Sequence, residues 1–586
     1  MSRRRVCSPS NASSLAVLTC VLCAVAWLAW ATPAAIANAP EVAAPASAPV
    51  TATPAAAAWS AEAGHAMVVS ESELASKAGV KILESGGNAI DAACAAALAM
   101  CVTNSSSCGI GGGGFMLIYM ARTHEVSALD YRETAPAAAT ATMYIRDGHP
   151  DEQAARNGPL AIAVPGEIAG IHAALGRFGK MKFSAIAAPA IELARNGFPV
   201  SEHLAREIEH AAPALARDPG LKAVFLKPDG TPHKQGETIV QKDLAATLER
   251  LGDNPAGFYR GSIATQIAAW LKAHGALVSA ADLAAYQPVW RMPLKRSYRE
   301  FQVYAMPPPS SGGVVLEMLG MLETGQLAGL GADSPPYLAR LTEVMRQGFL
   351  DRDKYADPAF ARVPIDTLLS AGHIKDARMR ALHHTAAPAP AQAAHDHGTA
   401  HLSVVDREGN VVALTTTINT PFGAKMMAAG LGIIMNDEMD DFAVAPGVPN
   451  AYKLIGAKAN EIAPGKRPLS SMTPLIVTRK GTPVLTLGGS GGPTIISGVL
   501  QVALDILDFH LNPVQAVDTA RIHEQATPDV VVVESGVPEP TRGALVKMGY
   551  KVVTVPSLGA VGAITIAPGG LRGAYDPRKG GGASGY

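Results

Sequence analysis

The chain has 586 residues, of which 48% are hydrophobic and 17% are charged. This length and apolar content can build a large core and allow roughly two to four domains. The net charge is −1 and no basic block follows the first few residues, which argues against nucleic acid as a partner.

The beginning of the chain has the pattern of a targeting segment. Arg3–Arg5 make a basic start, residues 15–30 are apolar, and Ala35-Ile36-Ala37 offers a small-x-small cleavage site. We therefore expect a signal peptide over 1–37 and an exported protein, periplasmic or secreted, with an Ala/Pro-rich linker over 38–58. Two alternatives stay open: the apolar run is long enough to be kept as a membrane anchor, and the arginines are compatible with twin-arginine export.

Two helices are predicted next. Ser70–Glu73 reads as a capping box, followed by an apolar helical face from Ala75 to Leu83 that ends at Gly86–Gly87. Residues 89–102 are apolar on nearly all sides, as expected of a helix between two layers. Three cysteines lie outside the leader, and their odd number and spacing of seven indicate buried small residues rather than a disulfide framework: Cys94, Cys101 and Cys108.

Residues 109–114 spell GxGxxG, the fingerprint of a dinucleotide-binding loop. That motif requires a strand before it and a helix after it. Here the predicted helix comes first and the strand Phe115–Tyr119 follows, so we reject the dinucleotide interpretation. Residues 167–382 are predicted to be largely helical, without a candidate catalytic residue.

A β-hairpin is predicted around residue 399. An Ala/Pro-rich run over 383–398 precedes alternating residues from Thr399 to Asp406, a turn at Arg407–Asn410 and a return strand over 411–418. A threonine that opens a strand is, by itself, only a good β-former. If the Gly398–Thr399 bond were cut, however, Thr399 would carry a hydroxyl and a free α-amine that titrates near pH 8, which is a nucleophile with its own base.

A glycine-rich segment near the end allows two interpretations. Residues 483–487 are predicted as a strand, 488–492 as a loop and 493–505 as a helix. Gly488-x-Ser490-x-Gly492 matches the nucleophile elbow of serine hydrolases, with His510 and His523 downstream. Only 96 residues follow Ser490 and no HGGG-type loop precedes it. We favour the alternative that the backbone N–H groups of Gly491 and Gly492 form an oxyanion hole at a helix N-terminus.

Several motifs together identify a family resemblance. Residues 399–406, 417–423, 436–442 and 468–474 occur in the order found in the small subunit of the γ-glutamyltranspeptidases, members of the N-terminal nucleophile hydrolase superfamily. Residues 130–136, 164–166, 307–313 and 576–586 resemble the same family, so that the resemblance runs from Ala66 to Tyr586. It implies an α+β fold, a four-layer αββα sandwich. It also implies a precursor that cleaves itself into a large subunit (59–398) and a small subunit (399–586).

The resemblance also implies roles for individual residues. Thr399 is the nucleophile and Thr417 hydrogen-bonds its hydroxyl. Gly491 and Gly492 are also catalytic and stabilise the oxyanion. The other residues bind the substrate: Asn419 holds it, Arg132 with Ser470 and Ser471 binds the α-carboxylate, Glu438 and Asp441 bind the α-ammonium, and Tyr452 on the lid loop 446–452 closes over the γ-glutamyl group. The mixed charges also suit an amino-acid head group on chemical grounds, since a guanidinium matches a carboxylate and an anion matches an ammonium.

No metal or other cofactor is predicted. The acidic run at 436–441 lacks the alternating oxygen ligands of a calcium loop. His395 and His397 lie in the run before Thr399, and His401 is on a strand face, so these three histidines do not suggest a metal site.

The implied activity is that of a γ-glutamyltransferase and glutathione hydrolase. It would pass the γ-glutamyl group of glutathione or a related donor to water, an amino acid or a dipeptide through a γ-glutamyl-enzyme. Three alternatives stay open: a glutaryl- or cephalosporin-type acylase of the same superfamily, a serine hydrolase that uses Ser490, and an exported binding protein without catalysis.

Overall fold

The computed structural model describes residues 59–382, 398–445, 447–454 and 456–586. The predicted signal peptide, its alternatives as an anchor or twin-arginine leader, the linker, and His395 and His397 all lie outside the described residues. Within these ranges, no helix combines the length and the hydropathy that a membrane crossing requires.

Two seven-stranded antiparallel sheets form the centre of the protein. We call them sheet I and sheet II. Sheet I has the strand order Ser60–Ala63, Gly570–Tyr575, Ala560–Ala567, Thr482–Ser490, Leu475–Arg479, Phe301–Ala305, Leu294–Tyr298. Sheet II has the order Gly582–Gly585, Met67–Ser70, Ala400–Val405, Val411–Thr417, Gly113–Met120, Glu125–Asp130, Val289–Arg291.

The strands of sheet II separate two apolar cores, because successive side chains of a strand point to opposite faces. Val68, Leu402 and Val404 pack with the first two helices, whereas Met67 and Val69 pack with residues of sheet I. On the far side of sheet I lie helices such as Gly312–Leu322 and Thr494–Leu507. The predicted αββα sandwich is therefore confirmed.

Both sheets contain strands from either side of Thr399. In sheet II, Ala400–Val405 lies between Met67–Ser70 and Val411–Thr417. In sheet I, Phe301–Ala305 pairs with Leu475–Arg479. A chain cut before Thr399 would still be held together by these ladders and by the shared cores.

Helices cover most of residues 167–382, as predicted. The α-helices are Glu73–Glu84, Ala89–Thr103, Glu152–Arg156, Glu167–Phe178, Phe183–Asn196, Glu202–Leu215, Pro219–Phe225, Lys242–Asp253, Ser262–Ala273, Ala280–Ala285, Gly312–Leu322, Pro335–Arg352, Ile365–Leu368, Ala371–Leu382, Thr494–Leu507, Pro513–Asp518 and Glu539–Lys547. Short strands complete the structure at Ile145–Arg146, His149–Pro150, Phe198–Pro199, Thr238–Ile239, Met427–Ala428, Ile433–Ile434, Ile522–His523, Val531–Glu534 and Val552–Val555.

The first helix begins later than the predicted capping box. Its N-cap is Ser72, whose hydroxyl accepts from the N–H of Ala75, whereas Ser70 is the last residue of a strand and bonds Ser76 Oγ at 2.7 Å. The second helix is buried over its whole length. The strand Gly113–Met120 begins within the glycine run, after that helix, which confirms the reversed order that excluded a dinucleotide loop. The three predicted cysteines are buried and free.

Candidate active site

Thr399 precedes the first strand of the hairpin in a strained backbone conformation. Its φ is 86°, a left-handed value that is a genuine outlier for a β-branched residue. Its N–H donates to the carbonyl of Ser107 at 3.0 Å. The preceding Gly398 is packed so closely that a Cβ there would lie 2.4 Å from the carbonyl oxygen of Asn419. The bond between Gly398 and Thr399 is thus held in a tight, strained setting.

The side chain of Thr399 contacts the return strand. Its hydroxyl lies 3.0 Å from that of Thr417, the last residue of the strand Val411–Thr417. Thr417 Oγ1 also accepts a 2.8 Å hydrogen bond from the N–H of Asn419, which has a φ of 73°. Because the strands pair Ala400 with Thr416, the register brings the two threonines to the same end of the hairpin.

Arg132 is completely buried and binds the acidic turn at 438–441. Its Nη1 contacts Glu438, its Nη2 contacts Asp441, and its Nε donates to the carbonyl of Pro468 at 3.4 Å. The acidic residues lie on a 3-10 helix, Glu438–Asp441, rather than in an irregular loop. The groups predicted to hold opposite ends of an amino acid therefore contact each other directly. Since a guanidinium has five N–H donors, it keeps donors for a further carboxylate.

Burial disfavours the charged forms of the groups in this cluster. It lowers the pKa of Arg132, but the nearby carboxylates of Glu438, Asp441 and Glu133 have the larger effect, so that the pKa of Arg132 is raised. Burial raises the pKa of Glu133 to about 7, with Arg132 acting in the opposite direction. Burial likewise raises the pKa of Glu438. One guanidinium thus faces three carboxyl groups, and burial favours the protonated form of two of them.

Ser470 and Ser471 form the wall opposite this turn. The N–H of Ser470 donates to the carbonyl of Pro309 at 2.8 Å, and Ser310 Oγ donates to the carbonyl of Met472 at 2.7 Å. The motif over 307–313, to which the sequence assigned no role, is therefore the support of the serine pair.

Gly491 and Gly492 join a strand to the helix Thr494–Leu507. Their φ values are 123° and 60°, and neither N–H has a hydrogen-bond partner among the described residues. A Cβ on Gly492 would lie 2.7 Å from the ring of Tyr452. Two unpaired N–H groups at the start of a helix can stabilise a developing negative charge.

Gly488 to Ser490 belong to a strand and not to the predicted loop. The strand Thr482–Ser490 pairs with Ala560–Ala567 up to Ser490, and a Cβ on Gly488 would lie 2.3 Å from the ring of His401. Ser490 Oγ donates to Glu71 at 2.7 Å, whereas His523 contacts Ser497 and Gln525. None of the described histidines hydrogen-bonds Ser490, and this geometry disagrees with the serine-hydrolase interpretation.

Tyr452 is buried above the hairpin. Its hydroxyl donates to the side-chain oxygen of Asn419 at 2.6 Å, and its carbonyl accepts from Gln525 at 3.2 Å. The side-chain nitrogen of Asn419 donates to the carbonyl of Asp437 at 2.9 Å. Asn419 thus connects the lid loop to the segment that carries the acidic turn.

One pocket collects nearly all predicted site residues. Its empty volume is ≈ 250 Å³, and its lining contains every predicted residue except Gly491, together with Met472 and Ile495. The predicted residues in the lining are Arg132, Thr399, Thr417, Asn419, Glu438, Asp441, Tyr452, Ser470, Ser471 and Gly492.

No histidine is among the described residues that line this pocket. His401 is buried between Thr415 and Ser403, at 2.9 and 3.1 Å, and burial lowers its pKa to about 3. Elsewhere in the described ranges, Glu317, Asp351 and His373 bring three ligand-type atoms within 4.8 Å of one another.

A residue that the sequence analysis did not single out reaches the serine pair. Arg352, at the end of the helix Pro335–Arg352, donates to Ser471 Oγ at 3.2 Å. Its neighbours Asp351 and Asp353 give the sequence the character of an exposed helix end, so no local signal indicated that this arginine is buried.

Comparisons with known proteins agree with this geometry. The family model for gamma-glutamyltranspeptidase matches residues 75–586. The glutathione hydrolase proenzyme of Escherichia coli strain K12 is 40% identical over 525 residues, which cover 88% of this chain and 90% of that protein. An acylase, the ACY 1 proenzyme of Pseudomonas sp. strain SE83, is 36% identical over 526 residues, covering 87% and 91%.

A solved structure matches over nearly the whole chain. The cephalosporin acylase of Bacillus halodurans superposes with a TM-score of 0.81 at 28% identity, covering 93% of this chain and 99% of that one. The family match and the sequence identity lead to one conclusion: the chain belongs to the gamma-glutamyltranspeptidase family.

Proposed function

We propose that this protein is an exported, self-cleaving γ-glutamyltransferase and glutathione hydrolase whose nucleophile is Thr399. The proposal rests on one arrangement: the hydroxyl of Thr399 is hydrogen-bonded to Thr417 in the same pocket as Arg132 and Asp441. A nucleophile and an amino-acid binding site thus share a small volume.

Maturation begins with the Thr399 hydroxyl. It attacks the carbonyl carbon of Gly398, the C–N bond breaks, and the acyl group moves from nitrogen to oxygen as an ester. Water then hydrolyses the ester and leaves Thr399 with a free α-amine. The left-handed φ of 86° supports this step, because strain of roughly 1–3 kcal/mol is relieved when the bond is cut.

Turnover uses the same hydroxyl. The α-amine of Thr399 accepts its proton while the oxygen attacks the γ-carbonyl of the donor, and the N–H groups of Gly491 and Gly492 stabilise the oxyanion. The α-ammonium of Thr399 then gives that proton to the leaving nitrogen, the γ-amide C–N bond breaks, the amine departs and a γ-glutamyl ester remains. Water converts it to glutamate, whereas the amine of an amino acid or dipeptide converts it to a new γ-glutamyl peptide.

The donor is recognised through the two charged groups on its α-carbon. The α-carboxylate accepts hydrogen bonds from the free N–H groups of Arg132 and from the hydroxyls of Ser470 and Ser471. The α-ammonium donates to Asp441 and Glu438. Since these carboxylates contact Arg132 directly, a bound zwitterion replaces part of an internal ion pair without leaving a buried charge unpaired.

Acylase activity on glutaryl groups is the alternative within the family, and two of the relatives are named acylases. A glutaryl donor lacks the α-ammonium, so Asp441 would have no cation to bind. We expect γ-glutamyl anilide to be cleaved at least tenfold faster than glutaryl anilide at equal low concentration. A preference for the glutaryl substrate would favour the acylase.

The decisive test is a denaturing gel of the purified protein with N-terminal sequencing of the smaller band. We expect two bands, the smaller beginning at Thr399, and activity on γ-glutamyl anilide. Thr399→Ala should remain full length and inactive, whereas Thr399→Ser, which keeps a hydroxyl, should still mature. An active protein that stays a single chain, or a small fragment with another first residue, would overturn the proposal.

A further inference from the structure

Arg352 is a buried cation that forms no ion pair with a described carboxylate. It is 7% exposed, and Asp441 and Asp353 stabilise its charge only from a longer distance. Burial lowers its pKa to about 10, so it remains charged at neutral pH. Because an unpaired buried charge is costly, its few polar contacts require an explanation.

Those contacts are with two serines. Nε donates to Ser311 Oγ at 3.0 Å and Nη2 donates to Ser471 Oγ at 3.2 Å. Ser311 in turn donates to the carbonyl of Ser470 at 2.6 Å. One guanidinium from the segment before Thr399 therefore fixes both members of the serine pair behind it.

The direction of these hydrogen bonds matters, since a guanidinium can only donate. The oxygen of Ser471 must accept from Arg352, and its own proton is left to bond elsewhere. No acceptor for that proton is present among the described residues, and Ser471 lines the pocket with Arg132 and Thr399. The proton is thus available to an anion in the pocket.

We propose that Arg352 is a positioning residue for donor recognition: it holds Ser471 so that the hydroxyl donates to the α-carboxylate of the γ-glutamyl donor. This inference rests on the proposed function. Arg352 does not line the pocket and acts through Ser471. It also adds a second buried positive charge behind the carboxylate, in addition to Arg132.

The test compares two anilides, γ-glutamyl and 4-aminobutyryl, which differ only in the α-carboxylate. Arg352→Met should raise KM for the γ-glutamyl substrate about tenfold with kcat within about threefold, the loss expected for a hydrogen bond to a charged group. The activity on 4-aminobutyryl anilide should stay unchanged. If Arg352 only supported the fold, its replacement would reduce the activity on both substrates equally.

Two further variants keep the test decisive. Ser471→Ala should show the same loss, and adding Arg352→Met to it should cause no further loss. Arg352→Lys keeps the charge but not the forked arrangement of donors, and it replaces Arg352→Met in the comparison of the two anilides if Arg352→Met fails to mature. Arg346→Met, on the same helix but facing Asp529 at 3.8 Å, is the matched control and should behave as wild type.

The outcomes separate this inference from the proposed function. A wild-type protein inactive on γ-glutamyl anilide overturns both. The inference alone is overturned if the wild type is active but the Arg352 variants lose activity on both substrates equally. It is also overturned if the losses in the double variant are additive.

Discussion

The hydroxyl oxygens of Thr399 and Thr417 lie 3.0 Å apart, and Thr417 Oγ1 already accepts the N–H of Asn419 at 2.8 Å. With that lone pair occupied, Thr417 either donates its proton to Thr399 or accepts the proton of Thr399 on its second lone pair. Both arrangements fix the rotamer of the proposed nucleophile.

Thr417→Val, which has nearly the same shape without the hydroxyl, tests this relationship. We expect slower conversion of the precursor and a fall in kcat/KM of roughly five- to thirtyfold, the size of a lost hydrogen bond of about 1–2 kcal/mol. Conversion is followed on denaturing gels and turnover with γ-glutamyl anilide.

Thr415→Val is the matched control for that experiment. It removes a hydroxyl from the same face of the same strand, but one that bonds His401 at 2.9 Å. It should lower the melting temperature and leave precursor conversion intact. Equal maturation and turnover in Thr417→Val and wild type would remove Thr417 from the mechanism.

Local sequence patterns predicted the helices and strands around the site, but they could not predict which strands pair across long sequence separations. Strand alternation after Thr399 and the apolar helix over 89–102 follow from periodicity alone. The strand Gly582–Gly585 pairs with Met67–Ser70, yet its glycines carry no strand pattern. The extension of the strand Thr482–Ser490 through two glycines was missed for the same reason.

The site contacts themselves join distant residues. Arg132 and Glu438 are separated by 306 positions, so only the family resemblance suggested that both belong to one site. The family resemblance assigned no role to Arg352, and its charged neighbours in the sequence indicated an exposed position. Its burial depends on how the helix Pro335–Arg352 packs against the serine pair, which no local pattern encodes.

Gly492→Ala should impair the pocket because its methyl group would meet the ring of Tyr452. The Cβ would lie 2.7 Å from two ring carbons, and the φ of 60° disfavours a side chain by about 1–2 kcal/mol. We expect a loss in kcat/KM of at least about tenfold, as the ring moves away from Asn419.

Two comparisons separate the ring contact from backbone strain. Gly481→Ala, in the turn between the strands Leu475–Arg479 and Thr482–Ser490, has a φ of 84° and open space around its Cβ, so it should retain activity. In a Tyr452→Ala background, adding Gly492→Ala should cost far less than in wild type. An equal loss of kcat/KM on adding Gly492→Ala in both backgrounds would show that the contact with the Tyr452 ring does not matter.

Ser490→Ala should keep kcat within about threefold of wild type. Its hydroxyl bonds Glu71 at 2.7 Å, and Tyr575 donates to the same carboxylate oxygen at 2.6 Å, so the role is structural. A stability loss of about 1 kcal/mol is expected in thermal unfolding. Ser497→Ala removes the serine that does contact His523 and should also stay active. A thousandfold loss in either variant would revive the serine-hydrolase alternative.

Glu317 should make the protein less stable as pH rises. Burial, with Asp351 beside it, raises its pKa to about 10, although His373 lies 3.1 Å away. The folded state therefore keeps a proton that the unfolded chain loses above about pH 4.3. Between those values, the free energy of unfolding falls with pH by up to about 1.4 kcal/mol per unit.

Glu317→Gln should remove this dependence, because the amide is neutral at every pH and needs no proton on folding. Its melting temperature should therefore exceed that of wild type at pH 8.5 and approach it at pH 5.5. Glu300→Gln, an exposed position in the turn after Leu294–Tyr298, should follow wild type at both pH values. If Glu317→Gln and wild type lost the same number of degrees between pH 5.5 and 8.5, Glu317 would be ionised in the folded protein at both pH values and the prediction would be wrong.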